Sequence, residues 1–80
     1  MKVWIIRMPW YILAMDEKSP IFYGPYQSED QATQKKLEIS SHSGVYDSEL
    51  FDLPTSNRAR AARMVKAQMK DGLTRFRYES

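Results

Sequence analysis

TSNRARAARMVKAQMKDG, Thr55 to Gly72, joins the clearest helical pattern in the chain to its densest positive charge. Pro54 stops the extended segment before it, Thr55 or Ser56 can accept a hydrogen bond from a free N-terminal amide, and Gly72 suits the left-handed residue that closes many helices. Between those ends there is neither Gly nor Pro. Ala, Met, Arg and Lys, the main residues of the span, are good helix formers. At about 100° per residue, Ala61, Ala62, Val65 and Met69 gather on one side, while Arg60, Arg63, Lys66 and Lys70 take much of the other. The spacing predicts an amphipathic helix from Thr55 to Asp71 with a cationic outer face.

A basic face has an ordinary explanation, because a surface helix must carry polar residues and Lys and Arg suit the negative end of its dipole. The missing acids argue for more. From Asn57 to Lys70 there are five basic residues and no Asp or Glu, so no Glu-to-Lys pair at i,i+4 relieves their repulsion. A surface with only a solvating role usually mixes both signs. The imbalance extends along the chain. Residues 1–55 hold five Lys or Arg against eight Asp or Glu, and residues 56–80 hold seven against two, for formal charges of −3 and +5. Such polarity suits an oriented contact with an anion.

On the C-terminal side of the basic helix, Leu73 to Tyr78 alternates, with Thr74, Phe76 and Tyr78 on one face and Leu73, Arg75 and Arg77 on the other. Phe76 is expected in the core and both arginines outside. On the N-terminal side, Val45 to Leu53 mixes Val45, Tyr46, Leu50, Phe51 and Leu53 with acids, and its strand is expected near Glu49 to Leu53. Ser40 to Gly44, SSHSG, is a connector by composition.

Ser28 to Gln31 has the S-x-x-Q form of a capping box, with Glu29 and Asp30 favouring the positive end of a helix dipole. A helix is expected from Ser28 to Ser40, with Ala32 and Ile39 inward beside the stems of Lys35 and Lys36 and with Leu37 apart. Further upstream, Trp10 to Met15 and Ile21 to Tyr26 read as two strands of a hairpin around the polar turn DEKSP. Val3 to Ile6 reads as a short buried strand before the break at Pro9.

The resulting order is β-β-α-β-α-β. For 80 residues it suggests one α+β domain spanning 1–80, a two-layer sandwich with both helices on one face of a small antiparallel or mixed sheet.

The 42% hydrophobic and 12% aromatic content fits a globular domain. The absence of Cys rules out disulfides and thiolate chemistry, and a reducing, cytoplasmic setting is the default. The opening MKVWIIRMPWYILAM has a basic start and an apolar run, but Arg7 and Pro9 break that run and no small-x-small site follows. It is also too short to span a bilayer, so a soluble protein without membrane attachment is expected.

Catalytic patterns are missing. No phosphate-binding glycine loop, zinc-protease helix or nucleophile elbow occurs, and the chain has only three Gly. His42, the single His, lies among small loop residues where neither a metal set nor an oriented acid-base pair can be assembled locally. No enzyme, cofactor or metal is expected. The charge pattern instead suggests a binding module that docks an anionic partner through Arg60, Arg63, Lys66, Lys70, Arg75 and Arg77. Nucleic acid leads among such partners. The alternative is an adaptor or inhibitor meeting an acidic protein surface. Aromatic residues cluster near the hairpin, and Trp10, Tyr23 and Tyr26 are the candidates for stacking on bases or anchoring a protein.

The segment FYGPYQSEDQA, Phe22 to Ala32, resembles the strand, Gly-Pro-aromatic turn and Ser-capped helix of sporulation-related repeat domains and of integrase-type DNA-binding domains. It is similar as well to a family of small cyanobacterial proteins of unknown function. The likeness covers eleven of the eighty residues and implies a strand-turn-helix unit without assigning binding residues.

Overall fold

WYILAM is apolar at every position, so as a strand it needs cover on both faces. In the computed structural model, which describes residues 8–69 and 75–79, it forms β1 (Trp10–Asp16) in the interior of the sheet. The other elements are β2 (Ile21–Tyr26), α1 (Glu29–Ser40), β3 (Val45–Asp52), α2 (Arg58–Gln68) and β4 (Arg77–Glu79). The strands are ordered β3-β1-β2-β4. β1 runs antiparallel to β2 and β3, and β4 runs parallel to β2, giving a mixed sheet in an α+β domain. Element order, class and mixed pairing are those expected. The expected strand at Val3 to Ile6 lies outside the described residues.

The layering differs from the expectation of two helices on one face. Ile12, Ala14, Tyr23 and Tyr26 pack with Ala32 and Ile39 of α1. Tyr11, Leu13 and Phe22 pack with Ala61, Ala62 and Val65 of α2, together with Leu53 and Phe76. Successive residues of a strand point to opposite sides, so the two helices cover opposite faces and β1 is sandwiched between them. Tyr11 to Ala14 are all buried.

A bulge sets which aromatic goes where. Trp10 pairs with Tyr26 and Ile12 with Tyr23, so Tyr11 alone opposes Gly24 and Pro25. The extra residue breaks the alternation, and Tyr23 and Tyr26 share the α1 face although three positions apart. Gly24 is fitted to this bend. Its φ is +126°, and a Cβ there would lie 2.8 Å from Tyr11 Cδ1 and 3.0 Å from the Trp10 carbonyl oxygen.

Helix ends follow side-chain capping. Ser28 Oγ accepts the Gln31 amide at 3.1 Å, and Gln31 Oε1 accepts from Gln27 N at 3.1 Å, one residue earlier than an ideal capping box. Leu37 is exposed, as expected from its angular position. The second helix begins later than predicted. Asn57 Oδ1 accepts the Arg60 amide at 3.0 Å, whereas Thr55 Oγ1 accepts from Asn57 N at 3.1 Å and stays outside the helix. Its expected end at Asp71, with the Gly72 cap, lies outside the described residues. β3 is longer than the expected Glu49 to Leu53 because seven of its residues pair along β1.

Candidate functional site

The late start of α2 changes the electrostatics of its basic face. Arg58 is the first helical residue and Arg60 the third, and the first turn contains no acid. Positive charge at the positive end of a helix dipole is locally unfavourable, so the macrodipole accounts for Lys66 in the last turn but not for these two arginines. Arg60 and Arg63 are exposed, and neither is in an ion pair among the described residues.

Two cations of α2 lean onto rings in and just before β4. Arg58 Cζ lies 5.1 Å from the centroid of the Tyr78 ring, and Lys66 Nζ lies 4.8 Å from that of Phe76. Both distances fit cation–π contact. The rings are fixed from beneath. Tyr11 stacks on Phe22 at 5.0 Å, Phe22 stacks on Phe76 at 5.5 Å, and Tyr78 meets Phe22 edge-on at 6.4 Å. Tyr11 is held in turn by donating its hydroxyl to the Thr55 carbonyl at 2.7 Å. An aromatic row thus crosses β1, β2 and β4 under α2, with cations at its outer end.

The expected binding residues divide accordingly. Arg60, Arg63 and Lys66 lie on α2, and exposed Arg75 immediately precedes buried Phe76 and exposed Arg77, as the alternation predicted. Lys70 lies outside the described residues. Arg77 does not join the α2 row. Its Nε donates to Ser19 Oγ at 2.7 Å and its Nη2 to the Ser19 carbonyl at 3.0 Å, and the guanidinium pairs with Asp16. Asp16 also accepts the amides of Lys18 and Ser19 at 2.9 Å. These bonds hold its carboxyl below the usual range, the Ser19 amide contributing most; burial, next in size, opposes it, and the Arg77 guanidinium and Lys18 amide add to the lowering. Arg77 therefore latches β4 to the β1–β2 turn.

The aromatic candidates require correction. Tyr23 and Tyr26 are only 7% and 8% exposed, because the bulge turns both toward α1, and Trp10 is half-buried on the same face. The rings of Tyr23 and Tyr26 are covered where a base would have to stack. Burial raises the Tyr26 hydroxyl pKa to about 12, with smaller contributions from Tyr23 and Glu38. The exposed tyrosines among the described residues are Tyr46 at 69% and Tyr78 at 42%. Sequence reasoning passed over Arg58 and Tyr78 as a pair, although their contact spans the first residue of α2 and the last strand. Only the tertiary placement of α2 over β2, beside which β4 adds, brings the two side chains together.

An open cleft of about 660 Å³ lies at the end of the sheet where Pro9, Pro25 and Pro54 meet, and Tyr26, Gln27, Thr55 and Ser56 complete its walls. None of these residues is basic. Among the described residues, no three of His, Asp and Glu converge as a metal set would require, and no helix is long and apolar enough to cross a membrane. The chain matches no protein-family model, curated protein or solved structure.

Proposed function

We propose that the protein is a non-catalytic binding module that docks nucleic acid on the face made by α2 and β4. The observation that carries this reading is the placement of Arg58 and Arg60 in the first turn of α2 with no acid beside them. Helix stability disfavours that arrangement, and exposed Arg60 shares a helix face with exposed Arg63 three residues on, the kind of paired cations that a phosphate backbone can meet. Arg63 and Arg75 extend the exposed positive surface. Acids on the far edge of the sheet, Asp47 and Glu49 of β3, give the molecule a repelling side and would orient the approach.

The test is a titration of labelled nucleic acid by anisotropy at two or more salt concentrations, comparing the parent with an Arg60→Gln, Arg63→Gln double variant. Both side chains are exposed, so the variant should fold normally. Affinity should fall, and the log–log salt slope should flatten by roughly 0.7 to 0.9 for each phosphate that the variant no longer neutralises. Equal affinity and equal slope in the folded double variant would reduce this face to a solvated surface.

A further inference from the structure

The two exposed tyrosines differ in the cations around them. Tyr46 follows half-buried Val45 on the outer strand β3, and Asp47 and Glu49 come next along the chain. A phosphate near its ring would meet acids. Tyr78 lies on the opposite outer strand, with Arg58 5.1 Å from its ring centroid, exposed Arg75 three residues before it and one acid, exposed Glu79, next to it. Its ring is not loose, since Phe22 meets it edge-on at an interplanar angle of 81°. Much of the ordering needed to present a flat surface has therefore been done by the fold.

A presented aromatic surface among cations is of little use to a duplex, whose base faces are already stacked on one another. It suits an unpaired strand, in which a base can swing onto the ring while neighbouring phosphates meet basic side chains. We propose that the nucleic acid recognised by the α2–β4 face is single-stranded, with Tyr78 as the base-stacking residue and Arg58 positioning its ring. This rests on the nucleic-acid reading of the same face and adds the class of strand.

The experiment uses three labelled probes of equal length, an oligothymidylate of about 12 nucleotides, its abasic counterpart and the corresponding duplex, against the parent, Tyr78→Leu and Tyr46→Leu. Circular dichroism first confirms that both variants are folded. The parent should bind the oligothymidylate more tightly than the other two probes. Tyr78→Leu should weaken oligothymidylate binding by roughly 5- to 150-fold, the range associated with removing one base–aromatic stack, and leave the abasic and duplex affinities unchanged. Tyr46→Leu should change none of them.

Equal binding of all three probes by the parent, or unaltered oligothymidylate binding by Tyr78→Leu, would overturn the single-strand inference while leaving anionic docking in place. Equal weakening of the oligothymidylate and abasic probes by Tyr78→Leu would also overturn it, by showing that the ring only supports Arg58. Failure of all three probes to bind, with an acidic protein bound instead, would overturn the nucleic-acid reading itself.

Discussion

Removing one hydroxyl from this protein is expected to have opposite effects at two buried tyrosines. Tyr11 is fully buried and donates to the Thr55 carbonyl at 2.7 Å. Its replacement by Phe keeps the stack on Phe22 but removes a hydrogen bond with a net value of about 1 kcal/mol. Tyr26 has a buried hydroxyl with no partner among the described residues. An unsatisfied hydroxyl costs about 1 to 3 kcal/mol in protein interiors, so Tyr26→Phe should recover about 1 to 2 kcal/mol of that cost. For an 80-residue domain with a stability of roughly 4 to 12 kcal/mol, either change is large. Urea unfolding followed by circular dichroism measures both. With an m value of about 1 kcal/mol/M, the midpoint should fall by about 1 M in Tyr11→Phe and rise by about 1 to 2 M in Tyr26→Phe, with the slope unchanged. A lower midpoint in Tyr26→Phe would show that its hydroxyl is satisfied in solution and refute the reasoning.

Gly24→Ala should destabilise the fold by more than 1 kcal/mol, about the least that a clash and a disfavoured φ together impose, because its Cβ would meet Tyr11 Cδ1 at 2.8 Å. A thermal midpoint equal to the parent's would count against the close packing at the bulge. Asp16 governs an acid-dependent part of stability. Its carboxyl pKa is lowered in the fold, so its contribution is fully present above the unfolded value near 4 and is lost as pH falls through the folded value. Stability measured from pH 7 downward should therefore drop less steeply below pH ~4 in Asp16→Asn than in the parent, and identical acid limbs would remove Asp16 from that role.

Local signals were sufficient where a neighbouring residue completes the physics. Ser28 capping α1, Ala32 and Ile39 facing inward, Leu37 facing out and the burial of Phe76 between exposed Arg75 and Arg77 were all legible from spacing. The helical side formed by Ala61, Ala62 and Val65 was legible for the same reason, because one stripe of a helix must be apolar to pack. The cap of α2 was harder, since Thr55, Ser56 and Asn57 are all competent acceptors. In the fold Thr55 Oγ1 accepts from Asn57 N while its carbonyl accepts from Tyr11, and Asn57 Oδ1 caps the helix.

What the sequence by itself determined was the order of elements, the period of each and the sign of the charge on α2. The unbroken apolar run of β1 is consistent with two covered faces, but the helices were expected on one face, and nothing in the run said which helix would cover which. That depended on long-range strand pairing and on the bulge at Gly24, which shifts Tyr23 and Tyr26 onto one side. Likewise, no local rule joins Arg58 to Tyr78 or frees Arg60 while binding Arg77 to Asp16. These choices follow from β4 adding beside β2, a pairing between residues more than fifty positions apart, and sequence periodicity carries no record of which distant strand becomes the neighbour.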